Sequence, residues 1–217
     1  MIAMILAAGR GERLRPITDT TPKSLVEVRG QSLIERHLAS IKSAGGDTVI
    51  INLGWLGEKI VERIGGGSNY GLNVVYSPEG EHVLESGGGI HRALPMLGCE
   101  PFLVINADVF TDMPMSFEAL DSDDVGHLVL VPARANKSQG DFDLQETRVR
   151  NGVDPQFTFS GVAVYRPKFF ADCAPGRFSI VPMLRVAADA GSLRGTVHTG
   201  IWEDVGTTDR LVELNRE

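Results

Sequence analysis

MIAMILAAGRGERLRPITDTTPKSL, residues Met1–Leu25, opens as an apolar run and turns through glycines into a cluster of cations. IAMILA (2–7) reads as a buried strand. Arg10, Arg13, Arg15 and Lys23 follow, in a chain that carries 21 Lys+Arg against 28 Asp+Glu, a formal net charge of −7. Positive charge gathered at one turn of an acidic protein asks for an anion there. In an open parallel sheet, ligands bind beyond the carboxyl ends of the strands. A turn built from Ala7, Ala8, Gly9 and Gly11 lets backbone N–H groups approach an anion closely. Arg13 is able to fork two phosphate oxygens, and Lys23 adds a point charge. Arg10 and Arg15 fit a solvated turn equally well. The spacing is not that of a P-loop, and Leu14 stands where a dinucleotide fingerprint needs its third glycine.

Outward from this turn, short apolar runs alternate with amphipathic segments. In SLIERHLASIKSAG (32–45), Leu33, Ile34, His37, Leu38 and Ile41 share one helical face, and Gly45 stops it. TVIINL (48–53) reads as a strand, LGEKIVERIGGG (56–67) as a helix and LNVVYS (72–77) as a strand. GGGIHRALPML (87–97) resembles a short helix entered through glycines, and FLVIN (102–106) is a fourth strand. The alternation predicts an α/β, Rossmann-like, doubly wound fold: a mostly parallel sheet with helices on both faces and right-handed crossovers. After about residue 125 the pattern becomes strand-rich, with HLVLVP (127–132), FDLQETRV (142–149) and FTFSGVAVYRP (157–167). A helix over SIVPMLRVAADAG (179–191), an extended GTVHTGIWEDVG (195–206) and a helix over TTDRLVELNRE (207–217) close the chain. We expect one domain over 1–217, a nucleotide-type half to about 125 and a smaller half, 126–217, folded back over the same sheet.

The acidic balance argues against general nucleic-acid binding and against an anionic membrane surface. The apolar start lacks the basic flank and length of a signal peptide, and no stretch approaches a bilayer-spanning length. Cys99 and Cys173 have no metal-ligand spacing, so a reduced, cytoplasmic setting is the default. No histidine stands with a serine or cysteine in a catalytic pattern: His37 reads as a core-facing helix residue and His198 as a strand residue.

A-A-G-x-G-x-R-L-R-P-x-T with P-K beyond it resembles the signature of the sugar-1-phosphate nucleotidyltransferases. SPEGEHVLESGGG (77–89), VINADVF (104–110), GDF (140–142), FTFSGVAVY (157–165) and WEDVGT (202–207) match that family in order along the chain. SPEGE, SGGG, GDF and FSG point, within it, to members that uridylylate N-acetylmuramic acid α-1-phosphate in peptidoglycan recycling. The resemblance implies a nucleoside triphosphate and a sugar-1-phosphate as small-molecule partners, and a monomer or weak dimer. It makes Arg13 and Lys23 catalytic, and places the nucleotide on Leu6, Ala7, Ala8, Gly9, Gly11, Glu79, Gly88 and Asn106. Gly87–Gly89 would lie flat against the base, with Glu81 and Glu85 no more than loop charges.

The resemblance makes Asp108, just past the FLVIN strand, and Asp204 the ligands of Mg²⁺, a cation that takes hard oxygens. Taken alone, an N-x-D after a strand is a weak signal, because Asp commonly caps the next helix. For the sugar the candidates are Gly140, Asp141, Ser160, Gly161 and Trp202. Ser160–Gly161 is also readable as a strand bulge and Trp202 as core. Trp55 is a further candidate for a sugar-pocket wall, on the same terms. Hexose-1-phosphate relatives carry a lysine in E-K-P before this strand; QETRVRNGVDPQFTFSG has none, leaving Arg148 or Arg150 as stand-ins for the acceptor phosphate. Glucose-1-phosphate or mannose-1-phosphate with UTP, dTTP or GTP, a non-catalytic nucleotide-sugar binder, and cytidylyl transfer to an alcohol phosphate remain alternatives.

Overall fold

A computed structural model describes residues 1–80, 82–116, 120–133 and 140–216. β1 (Ile2–Leu6) leads through three 3₁₀ turns and a small hairpin, β2 (Glu27–Val28) and β3 (Gln31–Ser32), into α1 (Leu33–Ser43). β4 (Thr48–Leu53), α2 (Gly57–Ile64), β5 (Asn73–Pro78), α3 (Glu85–Leu97) and β6 (Phe102–Asn106) complete the alternating half. β7 (Val109–Thr111), β8 (Gly126–Pro132), β9 (Asp143–Gln145), β10 (Arg148–Arg150), β11 (Phe157–Tyr165), α4 (Val181–Asp189), β12 (Leu193–Val197), β13 (Trp202–Asp204) and α5 (Thr208–Arg216) follow.

Nine strands form one sheet in the order β5-β4-β1-β6-β11-β8-β12-β10-β9. β5, β4, β1 and β6 are parallel neighbours. β11 runs against both β6 and β8, and β12 lies parallel to β8. The second half therefore extends the sheet sideways rather than folding back over it. The chain steps from β1 out to β4 and β5, then returns to β6 on the other side of β1. That reversal opens a crevice at the carboxyl ends of β1 and β6.

Alternation along β1 explains the two layers. Ala3 and Ile5 point to a core that holds Ile34, Leu38 and Ile41 of α1 and Ile60 and Ile64 of α2. Met4 points to the opposite core, with Ile90 and Leu97 of α3 and Leu184 of α4. Each Ile, Leu or Met among them contributes about 1.5–3 kcal/mol on leaving water. A third cluster joins Leu211 and Leu214 of α5 to Val28, Leu33, Phe110 and Val205. It clamps the separate β7–β13 ribbon against the start of α1.

Two segments differ from expectation. FDLQETRV is a hairpin, β9 and β10, because Glu146 takes a left-handed φ of 55°. GTVHTGIWEDVG is two strands in different sheets, broken at 198–201, where His198 Nε2 contacts Asp112 Oδ1 at 2.9 Å. No helix among the described residues is long and apolar enough to cross a membrane, and Cys99 and Cys173 are unpaired.

Candidate active site

A cleft of about 1040 Å³ opens over the carboxyl ends of β1, β4, β5 and β6. The turn after β1, residues 6–13, lines it, together with Asn52, Glu79, Asn106 and Asp108; Lys23, Arg177 and Gly206 also border it. Gly11 sets the turn. Its φ of 63° is left-handed, and a Cβ there would stand 2.9 Å from Thr18 Cγ2 and 3.1 Å from Lys23 Cβ. Thr18 Oγ1 donates to the Gly11 carbonyl at 2.8 Å. Buried Leu14 pins the following 3₁₀ turn. The chain thus loops back so that Lys23 overhangs the glycines.

Lys23 Nζ donates to Asp108 Oδ2 at 2.5 Å, with both side chains mostly buried. Asp204 arrives beside Asp108 through the β7–β13 ribbon: Asp204 pairs with Val109, and Val205 N donates to the Asp108 carbonyl at 2.9 Å. Asp204 is half-buried behind Gly206, and Gly206 faces the cleft. A Cβ on Gly206 would lie 3.1 Å from Arg13 Nη2 and 3.4 Å from Asp204 Oδ2. Arg13, Lys23 and Asp108 therefore line the cleft, and Asp204 stands just behind its wall at Gly206. Among the described residues no three His, Cys, Asp or Glu side chains cluster tightly enough to cage a metal. Asp108 and Asp204 are carboxylates, hard oxygen donors of the kind that a divalent cation takes together with substrate oxygens.

Beneath Asp108 lies His37 of α1, fully enclosed. Burial pushes its pKa down to about 4, and the Asp108 charge and hydrogen bonds to the Ala107 and Val109 backbones offset only part of that. It is a neutral packing residue, as its helical face suggested.

A family model described as Nucleotidyl transferase matches residues 2–138. The chain belongs to this family. The N-acetylmuramate alpha-1-phosphate uridylyltransferase of Neisseria meningitidis serogroup B is 46% identical over 98% of this chain and 96% of its own. The protein of that same description from Caulobacter vibrioides is 31% identical over 94% and 91%. A solved UDP-glucose pyrophosphorylase complexed with UDP-glucose superposes with a TM-score of 0.80, covering 99% of this chain and 97% of its own at 18% identity, a likeness of fold.

The glycines expected against the base differ from expectation. Gly87, Gly88 and Gly89 lie inside α3 and are buried. A Cβ would meet the Phe178 ring at Gly87, the Gly176 carbonyl at Gly88 and Glu79 Oε1 at Gly89, all within 2.6 Å. They let the helix press against its own protein, and Gly88 is not on the cleft wall. Glu79 is on that wall, 6% exposed. Glu81 lies outside the described residues. Glu85 does reach the cleft, paired with Arg177 at 2.9 Å.

None of the five sugar candidates lines the large cleft. They form a connected unit beside it. Ser160–Gly161 is a bulge in β11, where the register shifts between Phe159 and Ala163. Gly161, at φ 81°, leaves room for Asn106, whose Nδ2 a Cβ would meet at 2.5 Å. Asp141 Oδ2 accepts from Phe159 N at 2.9 Å, Gly140 packs under the Phe157 carbonyl, and Trp202 Nε1 donates to the Ser160 carbonyl at 2.9 Å. Trp202 packs on the core and also borders a groove of about 370 Å³ with His198 and Arg210.

The arginine stand-ins are corrected. Arg148 is ion-paired to fully buried Asp124, before the amino end of β8 and so at the edge of the sheet away from the cleft. Arg150 lies against Gly191, ahead of β12. Trp55 is also off the cleft: Arg10 stacks over its ring at 5.7 Å and its Nε1 donates to the Thr18 carbonyl. Arg15 pairs with Asp19 on the surface. Asn52, Arg177 and Gly206 are cleft residues that the sequence reading missed. Only Gly206 had a signal, inside the quoted WEDVGT.

Proposed function

We propose that this nucleotidyl transferase carries UMP from UTP to N-acetylmuramic acid α-1-phosphate, releasing pyrophosphate and UDP-MurNAc. The observation that carries the reading is the 46% identity, over nearly the whole of both chains, to the Neisseria uridylyltransferase. The presence of Arg13, Lys23 and Asp108 on the cleft, with Asp204 behind Gly206 at its wall, supports it. An oxygen of the sugar phosphate attacks the α-phosphorus of UTP in line. The bond from that phosphorus to the bridging oxygen breaks, and its electron pair leaves with pyrophosphate. The acceptor is already an anionic nucleophile, so no covalent enzyme intermediate is required, and the protein contributes positioning and charge. Arg13 holds the departing phosphates, and Lys23 lies over the α-phosphate and the incoming one. Asp108 and Asp204 would hold Mg²⁺, which supplies neutralisation of the crowded phosphate charge when bound. The half 1–125 takes the nucleotide and the half 126–217 the sugar, with Asn106 and the 160–161 bulge at the join. Both substrates are met in the cytoplasm during peptidoglycan recycling.

The test is a grid of UTP, CTP, dTTP and GTP against the 1-phosphates of N-acetylmuramate, N-acetylglucosamine, glucose and mannose, read by pyrophosphate release. UTP with N-acetylmuramate 1-phosphate should give the highest kcat/KM. A higher value for another acceptor reassigns the substrate, and no release from any pair leaves only a nucleotide-sugar binder.

A further inference from the structure

The turn after β1 and the loop after β5 stand on opposite sides of β4. Asn52, next to last in β4 and 3% exposed, reaches both. Its Oδ1 accepts from Ala7 N at 2.6 Å, and its Nδ2 donates to Glu79 Oε1 at 2.7 Å. The second carboxylate oxygen, Glu79 Oε2, accepts from Leu84 N at 2.6 Å. One buried relay therefore runs from the glycine turn, through a side chain of the middle strand, to the loop that leads into α3. Its polarity is fixed. Ala7 N–H is a donor, so the Asn52 oxygen must face it, and the Asn52 amide must then meet an acceptor. Gly89 closes the arrangement, because a Cβ there would stand 2.6 Å from Glu79 Oε1 and 2.9 Å from Asn52 Nδ2. Any larger residue at position 89 would crowd the relay.

We infer that Asn52 is a positioning residue for the nucleotide. Through Glu79, which also takes the Leu84 N–H at the entry to α3, it holds that wall at one distance from the phosphate-facing turn, so the two ends of the nucleotide meet walls of fixed spacing. The inference rests on the reading of the cleft as a nucleotide site. A buried hydrogen bond left with one partner is expensive, so the relay should behave as a unit.

Exchanging the two side chains tests this. Asn52→Asp alone sets one carboxylate against another. Glu79→Gln alone sets an amide donor against either Asn52 Nδ2 or Leu84 N. In the double variant, the new carboxylate at position 52 accepts from Ala7 N and from the new amide at position 79, whose oxygen accepts from Leu84 N. Every hydrogen bond and the single negative charge return. Each single variant should weaken UTP binding, measured calorimetrically, by roughly 10-fold or more. KM for UTP should rise with kcat little changed, and the double variant should bind within about 3-fold of wild type. Singles that melt lower yet bind UTP normally once folded, or a double variant no better than the worse single, overturn the inference while wild-type binding keeps the nucleotide reading intact. Wild type that binds no nucleotide overturns that reading first, and the inference with it.

Discussion

At the residue scale the cleft is a contest of charges decided by position. Arg13 is exposed, yet its guanidinium stands beside Gly206 at the end of the cleft where Lys23 and Asp108 pair. If it holds charge that develops on the departing phosphates, Arg13→Ala should lower kcat by roughly 10²-fold or more, as loss of a preorganised charge partner does. Arg13→Lys should recover only part of this, since an ammonium cannot fork two oxygens. Pyrophosphate release under saturating substrates reads both, and near-wild-type turnover of the alanine variant would remove Arg13 from the chemistry. The gathering of Arg13, Lys23, Gly9 and Gly11 at one turn was legible because all of them sit within twenty-odd consecutive residues. Asn52 was not, because its meaning lies in Ala7 and Glu79, partners on two other elements. Arg177, exposed in a loop, carries no pattern that separates it from any surface arginine.

At the element scale, α1 was legible down to its face: Leu33, Ile34, His37, Leu38 and Ile41 are its buried residues. The β9–β10 hairpin was not, because three-residue strands are too short for a period and its turn uses Glu146 rather than glycine. The glycines of α3 misled for a related reason: the helix was legible, but its glycines were expected against a base, while the crowding that demands them is tertiary. What ties α1 to its neighbours is Glu35. It accepts from Ser32 Oγ at 2.6 Å, from Arg63 at 3.0 and 3.2 Å and from Tyr70 Oη at 2.9 Å, joining the start of α1 to α2 and to the turn before β5. Burial alone would raise its pKa, but these donors outweigh that and hold it at about 2, against an ordinary 4.5. A carboxylate with a depressed native pKa adds stability above its unfolded pKa and loses it as pH falls. The loss should run from about pH 4.5 to about 2 and reach at most about 3 kcal/mol, less for the solvent exposure of Arg63. Urea unfolding at several pH values should show this component in wild type and not in Glu35→Gln. Equal acid sensitivity in the two proteins would mean that Glu35 does not join these elements.

At the scale of the whole molecule, one sheet carries both halves, and the cleft sits where its strand order reverses. A ligand filling that cleft would contact residues at the carboxyl ends of β1, β4, β5 and β6 together, so its binding energy should appear as global stability. A nucleotide at 100 times its Kd adds about 2.7 kcal/mol to the folded state. For a chain of 217 residues this corresponds to a rise in Tm of roughly 5–10 °C. The division of that rise between UTP and metal is informative. In the free protein Lys23 already supplies a cation to Asp108, so Mg²⁺ alone meets a partly neutralised site and should shift Tm little. If the cleft takes UTP as proposed, the phosphates would draw Lys23 away and free the Asp108 oxygen, so UTP with Mg²⁺ should stabilise more than the two separate effects summed. EDTA should remove the excess and leave the smaller effect of UTP. Melting curves with UTP, Mg²⁺, both, and both with EDTA decide the point: simple additivity would mean that the carboxylate pair and the phosphate turn act as separate sites, contrary to a single reaction centre spanning the seam.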